Sequence, residues 1–473
     1  MKKTIFHIIP TLLLLSFLGC KSKQDSAPES IKLDTNTFFV AVNGDDTRTK
    51  EQANNPSTPW KTIQKAANNA PSGATVIIGG GTYPEKVVLP ISCNGTAAKP
   101  TIFKNKVGEL PVLDGQNAGV RFTGIFGLKG NQYIIVKGLK TQNGFWTGFY
   151  AEESNNITFD SCFTFNTVAS GIYVKTTTTL RITRNNVRRA CQLPGPEIPG
   201  GIGSQECITL AGVNDFVISN NEVWDTDFIG QGGEGIDPKG GSYNGEVSNN
   251  YVHDLFRLGI YVDAGSKEAY NIRVFGNRLE KTGGLSIAGE LGGHLRDVYL
   301  YNNLVVNSRS SGLTFQNIGN GKFSNIYIVN NTFYNNAQTG FAGEIANYSR
   351  NTGNSNLVIK NNIFYNKVAN SRFSIWHDLA SPHAISNNLY FDFKVSNNNA
   401  NSFNRNNLTD SDILLDPLFN DMDRNDFSLK PNSPSINTGV VITLPNSSTP
   451  LFTTDMNGKA RGTRNWDVGA NEF

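Results

Sequence analysis

The sequence predicts a single all-β domain, a parallel β-helix in which short strands wind into stacked coils. Three observations predict it. Of 473 residues, 59 are Asn and 47 are Gly, types that favour turns and left-handed backbone over helix. An Asn-Asn pair flanked by alternating apolar residues recurs at Asn185-Asn186, Asn220-Asn221, Asn249-Asn250, Asn302-Asn303, Asn330-Asn331, Asn361-Asn362 and Asn387-Asn388, with Gly276-Asn277 in the one gap. The second positions of these pairs lie 35, 29, 27, 26, 28, 31 and 26 residues apart. Three short strands and their turns fit that length, whereas a four-stranded propeller blade needs about 40–45 residues. Composition also excludes alternatives. A hydrophobic share of 38% and an aromatic share of 10% argue against disorder. A formal charge of +3 carries no footprint of a nucleic-acid partner.

Taken in chain order, residues 1–19 read as a signal peptide. Lys2 and Lys3 form a basic start and Ile5 to Leu18 a short apolar run interrupted by Pro10, too short and broken for a membrane span. Phe17-Leu18-Gly19-Cys20 resembles a bacterial lipobox, which implies a lipid anchor at Cys20 and a secreted lipoprotein at the outer membrane or facing the periplasm. Residues 20–34 are polar and read as the lipidated tether. The β-helix is expected over 35–473, as a monomer, with caps over about 35–115 and 395–473. In Thr62–Ala70, Ile63, Ala66, Ala67 and Ala70 share one helical face, as a helix covering the first coil requires. The longest insertion, Arg188 to Gln205, is expected to overhang the cleft. Cys93, Cys162, Cys191 and Cys207 lack metal-binding spacing, so buried thiols or one disulfide are expected.

Each unit reads as a strand before the Asn pair (Phe216–Ser219, Val298–Tyr301), one after it (Leu304–Val306) and a Gly-led strand (Gly171-Ile172-Tyr173, Gly259-Ile260-Tyr261, Gly312-Leu313-Thr314). Alternation along the Gly-led strands turns Ile260 and Val262 inward. Facing outward, it gives Tyr150/Glu152, Tyr173/Lys175, Thr209/Ala211, Asp237/Lys239, Tyr261/Asp263, Ser286/Ala288, Thr314/Gln316 and Ala342/Glu344. Glu206 and Glu234 stand one place before the Gly column, and Glu290 just past its rung. Stacking therefore concentrates Glu206, Glu234, Asp237, Lys239, Tyr261 and Asp263 within roughly 10–15 Å. Tyr173, Trp224, Phe228 and Tyr261 are expected to stack on sugar rings. Lys175, Glu152, Gln316 and, at the rim, His294 are expected to bind substrate. His253 is expected to bond Asp254 away from the cleft.

Residues 39–46, 59–63 and 80–83, with Asp416-Pro417-Leu418-Phe419 and Asp467–Glu472 at the other end, resemble the ends of bacterial right-handed β-helix carbohydrate-active enzymes. Gly235-Ile236-Asp237-Pro238, His253-Asp254 and Gly259 to Asp263 resemble the core motif of mannuronan C5-epimerases, which implies active-site positions for Asp237 and Asp263; Lys239 and Glu234 stand where that family has His and Tyr. Glu234 to Lys239 is similar to acid-x-x-x-x-Lys stretches of polysaccharide lyases in the chondroitinase B/alginate lyase and pectate lyase groups. That resemblance implies Lys239 as base and calcium on acids, here Glu206, Glu234 and Asp237.

The chemistry then expected is β-elimination on a uronic-acid polysaccharide. Lys239 takes the proton, its pKa lowered by burial, and Tyr261 protonates the leaving oxygen. The alternative is a glycoside hydrolase using a pair of carboxyls from Asp237, Asp263, Glu206, Glu234 and Glu290. C5 epimerisation and a non-catalytic glycan-binding solenoid are the further alternatives.

Overall fold

One coil of the chain runs Ile236–Lys239, Tyr243–Ser248, Tyr251–Leu255 and returns to Ile260–Asp263, one rung along. In this computed structural model the described residues are 36–192, 206–226, 232–316, 318–339, 343–367, 373–377, 383–392, 407–444 and 447–473. The signal segment, tether and Cys20 lie outside them, as do Phe228, Ala342 and residues 193–205 of the insertion.

Repetition of the coil builds three parallel sheets of 13, 11 and 12 strands, plus one two-stranded antiparallel pair. The 13-stranded long sheet runs from Thr37–Val40 to His383–Ser386 and holds the strands that precede the Asn turn. The 12-stranded third sheet, Gly81–Tyr83 to Leu389–Phe391, follows that turn; the 11-stranded Gly-led sheet, Val87–Leu89 to Phe373–His377, completes each coil. The expected solenoid is therefore the observed one. Its first coils start earlier than expected: Thr75–Ile78, Gly81–Tyr83 and Val87–Leu89, inside the expected N-terminal cap, already supply one strand to each sheet.

The two Asn of each pair do different work. The first is left-handed: Asn220, Asn249, Asn302, Asn330, Asn361 and Asn387 all have φ between 53° and 58°, a region Asn tolerates better than other side-chain-bearing residues. The second forms a buried ladder. Asn250 Oδ1 accepts from the Asn221 backbone N at 3.0 Å and from Asn221 Nδ2 at 2.9 Å. The ladder links Asn185, Asn221, Asn250, Asn277, Asn303, Asn331, Asn362 and Asn388 and closes on Asp412 Oδ1. At Asn185-Asn186 the pair is displaced by one: Arg184 is the left-handed residue and Asn185 the ladder member, 36 residues before Asn221. Two further left-handed rows, among them Asn244 and Asn271 in the long sheet and Asn307 and Asn335 after the third, use more of the Asn content.

Inside, Phe126 and Phe149 pack ring to ring on successive rungs of the Gly-led sheet and meet Phe103 and Phe159 of the long sheet. Helix Ile63–Asn69 is N-capped by Thr62, its first N–H groups are met by Glu85, and Ile63, Ala66 and Ala67 enter the core. At the far end Ile413 adds a bridge to Leu389. The chain then turns back along the outer faces instead of only closing the end. Phe419, Phe427 and Leu429 cover Leu304, Tyr334 and Tyr365 of the third sheet, while Phe452 and Trp466 cover Tyr299, Tyr301 and Tyr327 of the long sheet. The Gly-led sheet has no such cover from these clusters.

Candidate active site

The Gly-led strands turn a tight corner. A Cβ on Gly235 would lie 2.3 Å from the Gly259 carbonyl oxygen, so glycine lets successive rungs stack there. Their register places the site. Tyr150 pairs with Tyr173, Tyr173 with Thr209, Thr209 with Asp237, and Tyr261 with Ser286 and then Thr314. Ile236 pairs with Ile260, which sets Asp237 beside Tyr261 and Lys239 beside Asp263. The expected outward row is thus assembled, but it is not a solvated one: Asp237 is 1% exposed, Asp263 5% and Tyr261 7%.

Lys239 Nζ donates to Glu206 Oε1 at 2.5 Å and lies 3.8 Å from Asp237 Oδ2. Glu206 Oε2 accepts from the Thr209 hydroxyl at 2.8 Å, which also contacts Ser170 Oγ at 2.9 Å. Burial pulls the Lys239 ammonium down, but Glu206 and Asp237 act more strongly and hold its pKa above the ordinary lysine value. That is opposite in sign to the lowering expected of a lysine base. A lysine held against a carboxylate on the neighbouring rung keeps its proton.

The acids shift the other way. Burial raises Asp237 well above an ordinary carboxyl, with Lys239 opposing and Glu206, Asp263 and Glu234 adding to it. Its Oδ1 has no hydrogen-bond partner among the described residues. Burial and the nearby Glu206 raise Glu234 as well, partly offset by Arg257, whose Nε donates to Glu234 Oε1 at 3.0 Å; Glu234 Oε2 has no partner among the described residues. Asp263 is pushed up to about 6 by burial, against the opposing backbone N–H groups of Gly265 and Glu290, which donate to Oδ1 at 2.8 and 2.9 Å. Tyr261 donates its O–H to Glu290 Oε1 at 2.6 Å, and burial and that contact raise its pKa.

The other expected site residues divide. Tyr173 stacks on Tyr150 with centroids 5.7 Å apart, and Glu152 accepts from Lys129, Lys175 and Tyr150. These residues share the Gly-led sheet, with Lys175 two rungs from Lys239. Gln316 is also on it, its Nε2 donating to Ser286 Oγ at 3.1 Å. Trp224 is not. It stands on the third sheet, stacked on His253 and beneath the Arg188 guanidinium at 4.3 Å. His253 bonds Asp254 there, as expected. His294 opens a long-sheet strand and contacts Ser324 and Glu268.

Glu344 is corrected too. Thr314 pairs with Ala346, so the outward position is Ala346, and Glu344 falls in the Gly column with Gly312. It is buried there, accepting from Asn336 N and Nδ2, and burial pushes its pKa up to about 8. The repeat length slips at this coil.

Among the described residues no three His, Cys, Asp or Glu side chains converge to hold a metal. Glu206 and Glu234 face Lys239 and Arg257 instead. The four described cysteines are buried thiols, with no disulfide among the described residues. Two functional candidates escaped the sequence reading, Arg257 and Arg309. Each lies in the turn just ahead of a Gly-led strand, and that placement was the available signal.

A family model described as "Pel9A-like, right handed beta helix region" matches residues 38–192, and one described as "Right handed beta helix region" matches residues 123–292. Both describe the fold seen here and add its right-handedness. Pectate lyase PEL9 of Emericella nidulans is 26% identical over 152 residues, covering 29% of this chain and 35% of that protein. The uncharacterized protein YwoF of Bacillus subtilis is 29% identical over 150 residues, covering 30% and 29%. The chain thus matches about a third of the length of these curated relatives. Among solved structures, XylC in complex with xylose superposes with a TM-score of 0.49 at 14% identity, covering 92% of this chain and 98% of that one. Pectate lyase Pel9A gives 0.42 at 14% identity, with 92% and 96% covered. The A-module of Azotobacter vinelandii mannuronan C-5 epimerase AlgE6 gives 0.45 at 14%, with 75% and 94% covered.

Proposed function

We propose that this protein is a carbohydrate-active enzyme that cleaves a uronate-containing polysaccharide by β-elimination, using Asp237, Lys239, Tyr261 and Asp263. One observation carries the reading: Lys239, ion-paired to the buried Glu206 at 2.5 Å and 3.8 Å from Asp237, sits on the rung next to Asp263, and both aspartates are buried. Elimination removes the proton next to the uronate carboxylate, and negative charge grows on that carboxylate. A fixed ammonium stabilises that charge where water cannot, so Lys239 neutralises rather than abstracts. Asp263, with a pKa of about 6, is ionised at neutral pH yet more basic than an ordinary aspartate, and serves as base. The Tyr261 hydroxyl, which now donates to Glu290, gives its proton to the leaving glycosidic oxygen as the C–O bond breaks. The pectate lyase among the matching proteins supports a uronate substrate.

Glycoside hydrolysis is the second reading, favoured by one feature. Asp237 is held toward its neutral form on the rung next to Asp263, an acid and a carboxylate in adjacent places. A panel of polyuronates, glycosaminoglycans and neutral glycans, incubated with calcium and with chelator, separates the two. Ultraviolet-absorbing unsaturated ends mean elimination. New reducing ends without that absorbance mean hydrolysis and would overturn the first reading.

A further inference from the structure

Beside the active row, at the corner where the third sheet passes into the Gly-led sheet, lies a cavity of about 270 Å³. Phe256, Arg257, Gly283, Arg309, Gln316 and Thr339 contribute to its lining. Stacked turns build this wall. Gly283 N donates to Arg257 O at 2.7 Å, Arg309 N to Thr282 O at 2.8 Å, and Thr339 N to Arg309 O at 3.0 Å. Arg257 and Arg309 therefore stand two rungs apart, roughly 10 Å.

The two arginines are not equivalent. Arg257 is committed to Glu234 at 2.9 Å. Arg309 has no carboxylate within ion-pair distance among the described residues. Its guanidinium rests over the Phe256 ring at 4.6 Å from the centroid. A cation held on an aromatic face keeps its hydrogen-bonding edge free and needs little further ordering to take a planar anion. Gln316 ties the cavity to the active row, because its amide donates to Ser286 Oγ and Ser286 is the rung neighbour of Tyr261.

We propose that this cavity is a subsite for an acidic sugar residue flanking the reacting one, with Arg309 binding its anionic substituent and Phe256 positioning Arg309. The inference rests on the reading that a polysaccharide lies along the Gly-led sheet, and it adds that the chain is charged beyond the reacting unit. The shared chemistry is an oxyanion on a sugar ring, either carboxylate or sulfate.

Titration calorimetry on the full chain carrying Lys239→Met tests it, with trigalacturonate, a chondroitin sulfate oligosaccharide and xylotriose as probes. One acidic probe should bind and xylotriose should not; which acidic probe binds tells carboxylate from sulfate. Adding Arg309→Ala should weaken that binding about ten- to a hundredfold, the range for a lost charge-assisted hydrogen bond. Arg309→Lys should retain part of it, and Phe256→Ala should weaken it less than Arg309→Ala. With Lys239 restored, Arg309→Ala should raise KM and leave kcat in place. Equal binding by wild-type Arg309 and Arg309→Ala, or equal binding of xylotriose, would overturn the subsite. The two readings fail separately. Unsaturated product formed with KM indifferent to Arg309→Ala sinks the subsite alone, whereas Arg309-dependent binding without unsaturated product sinks elimination alone.

Discussion

Lys239 Nζ donates to Glu206 Oε1 across one rung of the Gly-led sheet, and Glu206 is buried. On the proposed reading the pair does two jobs, because the carboxylate that steadies the fold would also keep the lysine protonated for the reaction. Removing one partner strands the other charge. Lys239→Met is expected to cost about 3–5 kcal/mol in urea unfolding and about a hundredfold or more in kcat. Glu206→Gln with Lys239→Met should recover much of the stability and none of the activity. Recovery of both would show that Lys239 serves only the fold.

If Asp263 is the base of the proposed elimination, it sets a pH limb. Its carboxyl is raised to about 6, so the ionised base appears as pH rises through that value. The pH profile of kcat/KM should climb through about 6 and flatten above it. Asp263→Asn should fold and lose the reaction at every pH. An ascending limb near an ordinary aspartate value would remove Asp263 as base.

The two members of an Asn pair should respond oppositely to glycine. Asn249 needs only a left-handed backbone, with φ at 54°, so Asn249→Gly is expected to be within about 0.5 kcal/mol of wild type. Asn250 accepts two hydrogen bonds from Asn221 and donates to Ile218 O and Asn277 Oδ1. Asn250→Gly leaves buried partners unmet and should cost about 2–4 kcal/mol. Chemical unfolding of both variants checks the contrast.

The buried thiols should be silent in the native protein. Burial pushes Cys93 up to about 11 and Cys162 up to about 12, and holds Cys191 well above its ordinary value. Thiolate is the reactive form, so a thiol-specific reagent at mildly alkaline pH should label none of these three until denaturant is added.

We propose that Cys20 is the lipid-anchored residue expected from the sequence. Expressed in a bacterium fed labelled fatty acid, the full chain should incorporate label, and Cys20→Ser should not. Label retained in the variant would place the modification elsewhere.

Much of this molecule was legible in the chain. The recurring Asn pair marked a turn, alternation marked inward and outward positions, and the Gly-led strands could be superposed as rungs. Those readings brought Glu206, Asp237, Lys239, Tyr261 and Asp263 onto one sheet, because strand neighbours in a solenoid are set by repeat length and side-chain alternation. The same logic failed where the period slipped, at Glu344 and by one residue at Asn185. It also failed for Trp224 and His294, which are close in sequence to the coils of the candidate site but belong to other faces. What only the tertiary structure decided was electrostatic. Whether Lys239 is an amine or an ammonium depends on a carboxylate 33 residues away in the chain and on how deeply both are buried. Residue types along a sequence carry neither the distance between two charges nor the dielectric around them, and the sign of a pKa shift is the difference between those two effects.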